Sequence, residues 1–186
     1  MIIKPLNISP PAPQHGFVLI VALILLLVLT LLGLAAAEST SLEERMAGNA
    51  RNQDMALQAA EAGLRAAESC LTAGLSVCNN FGGDTGGTYQ FDQSAANLTP
   101  LWETVDWSNA ANVLSYPSVT ATDIPSVATQ PEIIIEQMPP VAAPGGNLAT
   151  QQFGGGAPTV QLYRITARGT GGDSTSTVML QSMYGP

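Results

Sequence analysis

The residues able to do acid–base or nucleophilic chemistry are few and unevenly placed. The only histidine is His15 and the only lysine is Lys4, both within the first 16 of 186 residues. Without those 16 residues, serine–histidine and cysteine–histidine nucleophiles, lysine Schiff bases and a P-loop lysine are unavailable. Carboxylates remain, and a glycosidase needs only two. Glu132 and Glu136 lie four apart on a β-branched run, where solvated acids on a sheet face are the simpler reading. Gly82-Gly83-Asp84 lacks the series of acids that a calcium loop requires. No catalytic, cofactor-binding or metal-ligating residue is assigned, and the inventory argues against an enzyme.

Cys70 and Cys78 are the other reactive pair. In an oxidising compartment two cysteines this close read as a disulfide. Had a helix continued through both, their Cα atoms would be about 12 Å apart, beyond the reach of a disulfide. Pairing requires the helix to end between them, and Gly74 suits a left-handed terminating residue. Two free thiols are the alternative.

The elements that carry these residues begin at His15-Gly16-Phe17. From Phe17 to Ala37 the chain is apolar except for Thr30 and Gly33, long enough to cross a hydrocarbon core of about 30 Å. A secretory signal peptide has a shorter apolar core with its cleavage site after it. Here a polar leader, residues 1–16, precedes the whole span. This resembles the class III leader of type IV pilins, in which a prepilin peptidase cleaves after glycine and methylates the new terminus. By that resemblance Gly16 ends the leader and Phe17 is the N-methylated first mature residue. An ordinary signal anchor is the competing reading.

Glu38 to about Ala73 continues the same helix, rich in Ala, Leu, Met and Glu and free of proline. The helix, residues 17–73, would run on the order of 85 Å, with residues 17–37 as its transmembrane half. Leu57, Ala60, Leu64, Ala67 and Leu71 recur at spacings of three and four, beside a polar stripe of Asp54, Gln58, Glu61, Arg65 and Glu68. Ala59, Ala62, Gly63 and Ala66 permit close approach of another element.

Leu42-Glu43-Glu44-Arg45-Met46-Ala47-Gly48-Asn49 and Ala56-Leu57-Gln58-Ala59-Ala60-Glu61-Ala62 resemble the amino-terminal region of PilX-type minor pilins. Pro131-Glu132-Ile133-Ile134-Ile135-Glu136 and the run Tyr163 to Gly172, followed by Leu180-Gln181-Ser182, resemble a later part of that family in the same order. The resemblance implies a minor pilin that helps initiate type IV pilus assembly, with motility and cell adhesion depending on it through the filament. Implied partners are other minor pilins, the major pilin, the prepilin peptidase, the inner-membrane assembly platform and a tip adhesin. Major pilins usually have glutamate as the fifth mature residue, thought to neutralise the terminal amine of a neighbour. Here Val21 stands there. An unpaired buried charge is costly, so a subunit that cannot cover a neighbour's amine suits the filament tip.

The net charge is −8, and removal of the leader leaves five arginines against 14 acidic residues, a balance of −9. No basic stripe marks a direct nucleic-acid interface. Lys4 before the span and Glu38 after it orient the leader to the cytoplasm and the remainder, residues 74–186, to the periplasm. The expected location is the inner membrane as a single-pass protein, then the pilus on the cell surface. Residues 79–131, rich in Gly, Asn, Thr, Ser and Asp, read as largely irregular, with Trp102 and Trp107 covering a small core or serving as exposed anchors.

Residues 132–186 carry the β signal. Val160 to Arg168 and Ser176 to Met183 alternate around a turn at Gly169 to Asp173, with Glu132 to Gln137 as a neighbour. Tyr163, Ile165 and Ala167 share a face expected to pack on the helix. Arg164 and Arg168 lie on the other, either paired with Glu132 and Glu136 or solvated. Pro139 to Gly156 reads as loop. The expected fold is α+β and pilin-like, the outer half of a long helix packed on an antiparallel sheet. Two other functions fit the same elements: a minor pseudopilin of type II secretion, and a membrane-tethered adhesive or binding module.

Overall fold

A computed structural model describes residues 16–83, 86–91, 99–143 and 159–186. Two compact units divide the chain, Met1–Ala47 and Gly48–Pro186. Helix α1 spans Phe17–Thr72. In the first unit it is apolar and exposed on all sides, from Phe17 through Leu34. It is the one described helix long and apolar enough to cross a membrane. A helix apolar all round belongs in lipid or among other helices.

The second unit holds the sheet. Its strands are β1 (Thr88–Gln90), β2 (Leu114–Ser115), β3 (Glu132–Gln137), β6 (Tyr163–Thr170) and β7 (Thr177–Tyr184), in the order β1-β3-β6-β7 with β2 beside β3. β4 (Val141–Ala142) and β5 (Thr159–Val160) form a separate two-stranded ribbon. The β3–β6 and β6–β7 pairs are antiparallel, as expected, and β2, from the segment read as largely irregular, adds an antiparallel pair with β3. β1 pairs parallel to β3, so the sheet is mixed. Two short helices, α2 (Leu101–Thr104) and α3 (Tyr116–Thr120), fall within the segment expected to be largely irregular. The architecture is α+β, a long amino-terminal helix with a sheet packed against its second half.

Ile133, Ile135, Tyr163, Ile165 and Ala167 meet Ala67, Cys70 and Leu71 in one core. The buried face of α1 keeps Ala60, Ala67 and Leu71 of the expected stripe, with Leu64 partly buried against the core, but it is broader in small residues and leaves Leu57 out. It consists of Ala56, Ala59, Ala60, Gly63, Ala66, Ala67, Cys70 and Leu71, while Leu57 is exposed. The reason lies in β6. Its inward positions are Tyr163, Ile165, Ala167 and Gly169, continued by Gly171, a series that loses bulk residue by residue until only backbone remains. A Cβ on Gly169 would collide with the Ala56 carbonyl and the Ala60 backbone nitrogen, and one on Gly171 with the Asn52 carbonyl. Strand and helix converge toward the hairpin, and leucine does not fit where they meet.

Candidate functional site

At the amino-terminal end, Gly16 immediately precedes α1 with φ of +128°, a conformation that glycine adopts without strain. Phe17 opens the helix and is 74% exposed, and Val21, one turn further, is 37% exposed on the same apolar surface. Lys4 and His15, with the rest of the leader up to residue 15, lie outside the described residues. So do Asp84 of the glycine-rich triplet and residues 144–158 of the expected loop after Pro139.

At the other end of α1, Ala73 N–H still reaches the Ser69 carbonyl. Gly74 then turns left-handed with φ of +63°, its N–H bonding to the Leu71 carbonyl at 3.1 Å while Leu75 N–H reaches back to Cys70 at 3.2 Å. These two bonds make a Schellman cap on carbonyls that would otherwise be orphaned. The reversed chain returns Cys78 to Cys70, with a Cα separation of 6.1 Å, and the two are joined as a disulfide. Both are buried. Phe81 follows and stacks on Tyr163 with ring centroids 5.5 Å apart. The cross-link therefore ties the helix end to the sheet core.

The sheet face away from α1 carries the charges. Glu132 opposes Arg168 and Glu136 opposes Arg164 in the β3–β6 register, so both arginines pair across the strands. Arg164 donates from Nε and from Nη2 to the two oxygens of Glu136, each at 2.6 Å. It also lies 5.5 Å from the Phe91 ring centroid. Those hydrogen bonds raise the pKa of its guanidinium against the effect of burial. Arg168 is more loosely held, 3.5 Å from Glu132. Burial pushes the Glu132 carboxyl up, partly offset by Arg168.

Thr166 lies between the arginines on this face, buried, and accepts a 3.0 Å hydrogen bond from Gln181. Trp102 borders a shallow cavity beside them. Trp107 donates its indole N–H to the Trp102 carbonyl at 3.0 Å. Both tryptophans are half-buried and outside the main core, and Trp102 borders the sheet's second face.

A separate cleft of about 540 Å³ opens near the disulfide loop, lined by Ser76, Asn80, Ser115, Ser118, Gln130 and Glu132 among others. Its lining includes one carboxylate and no basic group. Among the described residues no three His, Cys, Asp or Glu side chains gather to hold a metal. What these residues supply is a cross-link, a helix cap and a packed core.

A family model for the PilX amino-terminal region matches residues 15–65, and one for the carboxy-terminal region of type IV pilus assembly protein PilX matches residues 49–186. The chain belongs to the PilX family. No curated protein and no solved structure matched it. PilX membership makes this a type IV pilus assembly protein, which interacts with other pilus components. The disulfide, the apolar helix and the sheet that covers the second half of that helix are thus features of a type IV pilus assembly protein.

Two parts of this PilX chain escaped the sequence reading. Gly169 and Gly171 fall in the expected turn, yet both lie against the backbone of α1 with no room for a Cβ. The signal was the falling side-chain size at alternate positions from Tyr163 onward. The other is Asn52, whose Nδ2 donates to Asp173 in the β6–β7 turn at 2.8 Å. A single amide on a long helix gives no sequence signal of a partner 121 residues away.

Proposed function

We propose that this PilX-family chain is a minor pilin that helps initiate type IV pilus assembly at or near the filament tip. The observation that carries the reading is the apolar half of α1, exposed on every side within its own unit. In a membrane that surface is covered by lipid, and in a filament by the helices of neighbouring subunits. Transfer from one to the other exchanges like for like, since lipid tails are as apolar as leucine. A few such helices held side by side would template the next addition.

Prepilin peptidase cuts between Gly16 and Phe17 and methylates Phe17 in this reading, leaving the apolar helix on the mature chain. The subunit waits in the inner membrane with residues 74–186 in the periplasm, on the assembly platform with the other minor pilins. Val21, in place of an acid, offers no carboxylate to the terminal amine of a neighbour, so the chain sits where only one such contact is made. Major pilin adds beneath it and a tip adhesin rests above.

Mass spectrometry of the amino-terminal peptide, from membranes and from sheared filaments, tests this. Methylated Phe17 in both, with a copy ratio far below that of the major subunit, is the expected result. An intact Met1 terminus confined to membranes would leave a tethered binding module. Processed protein found only with a secretion system would make it a pseudopilin.

A further inference from the structure

The sheet has two edges, and they are finished differently. On one side β1 and β2 between them pair with β3 along its length. On the other, β7 pairs with β6 through eight residues, and no other described strand lies against it. Natural proteins blunt such edges with charge, proline, a bulge or a covering element. β7 reads Thr-Val-Met-Leu-Gln-Ser-Met-Tyr, with neither charge nor proline, and its register with β6 is unbroken.

The alternation of an antiparallel ladder identifies the outward groups. Gly171 N–H donates to the Ser176 carbonyl at 2.8 Å, marking that position as a bonded pair. Bonded pairs recur at every second position, so the backbones of Val178, Leu180, Ser182 and Tyr184 turn toward β6. Those of Thr177, Met179, Gln181 and Met183 turn to the open edge. The side chains of Met179 and Met183 are 39% and 56% exposed on the face away from α1.

We propose that this edge takes an extended strand from a different pilus component, which adds to the sheet beside β7. Main-chain bonds would hold the strand, and side chains near Met179 and Met183 would select it. Its facing residues should be uncharged and apolar. β7 offers no counter-ion, and the two arginines opposite Met183 and Met179, Arg164 and Arg168, are already paired with Glu136 and Glu132. A second copy is a poor occupant. Antiparallel β7-to-β7 pairing turns the copy about the sheet normal, so residues 48–72 of its α1 run opposite to those of the first chain, whereas subunits of one filament share a direction. Strand docking requires a pilus but neither a tip position nor cleavage at Gly16, so it and the proposed function fail separately.

The test is photo-crosslinking in cells that make the full chain with a photoreactive residue in place of Met183. Met179→Pro removes one outward N–H without touching the β6 ladder, a substitution tolerated on edge strands. The expected adduct is to an apolar segment of another pilus subunit, its yield falling about tenfold with Met179→Pro and staying unchanged with Met179→Ala. Should Met179→Pro lower the melting temperature, Met179→Lys supplies the same comparison by facing the partner with a charge. An adduct to a second copy, an adduct insensitive to these variants, or no adduct would overturn the proposal.

Discussion

Arg164 grips Glu136 with two parallel hydrogen bonds of 2.6 Å across adjacent strands, in a place where the carboxylate side chain is only 4% exposed. Four residues further along the same strand, Arg168 meets Glu132 at 3.5 Å with its side chain 35% exposed. The two pairs share a register and differ in dehydration, and dehydration decides what each loss costs. Arg164→Met strands a buried carboxylate and should destabilise the fold by about 3 kcal/mol. Arg168→Met should cost less than about 1 kcal/mol. Urea denaturation of both variants checks the ratio, and equal losses would refute the argument.

Two glycines at the helix–sheet contact, Gly169 on β6 against Ala56 and Ala60 and Gly63 on α1 against Ala167, should respond differently to alanine. At Gly169 a Cβ meets helix backbone, which cannot give way, so Gly169→Ala should cost about 1–3 kcal/mol or more. At Gly63 the nearest atoms are the Ala167 Cβ at 3.2 Å and the Pro131 Cβ at 3.4 Å. The crowding there is mild, and alanine's helix propensity returns up to about 1 kcal/mol. Gly63→Ala should be close to neutral in the same denaturation experiment.

Replacing Cys70 and Cys78 together by alanine removes the link across a separation of eight residues. Chain-entropy reasoning gives a loss of about 2–3 kcal/mol. Amide exchange should show the loss as local opening at Gly74 to Phe81 before the sheet opens, since the cap bonds and the Phe81 stack depend on the returning chain. Uniform loss of protection would mean that the link acts on the whole unit.

Asp173 caps the β6–β7 turn, its Oδ1 accepting from the Thr175 hydroxyl at 2.6 Å and from the backbone N–H groups of Thr175 and Ser176. The Thr175 hydroxyl and then those N–H groups hold its pKa below the usual value. A folded pKa lower than the unfolded one gives stability that is present above the unfolded pKa and lost as pH falls through the folded value. Glu132 works the other way. Burial raises its pKa, so its protonation favours the folded state as pH falls. The Ser176 amide should therefore lose protection on acidification below the ordinary carboxylate range, and Asp173→Asn should flatten that response.

Elements whose signal is local were legible in the sequence. Glu132 to Gln137 is a strand because its β-branched run says so, and Gly74 ends α1 because the two cysteines would otherwise be too far apart. Alternation along Val160 to Arg168 puts Arg164 and Arg168 on the face away from the helix, but only the register of β3 against β6 decides between pairing and solvation. The parallel pairing of β1 with β3 had no sequence signal, since three residues, Thr88–Gln90, carry too little pattern to declare a direction. Leu57 misled for a physical reason. Hydrophobic periodicity finds the greasiest stripe, whereas a strand that closes on a helix backbone selects the smallest one.

The dwindling inward series of β6, from Tyr163 down to Gly171, also works as a gauge. Were the sheet to slip along α1 by one inward position, Ala167 would occupy the place of Gly169 and drive its methyl group into the Ala56 carbonyl. A slip the other way would leave Tyr163 and Ile165 standing off the helix with a gap beneath them. Only one seating closes the joint, so the chain measures out where its sheet sits on the helix. Each copy of the chain therefore carries its sheet at the same height on residues 48–72 of the helix.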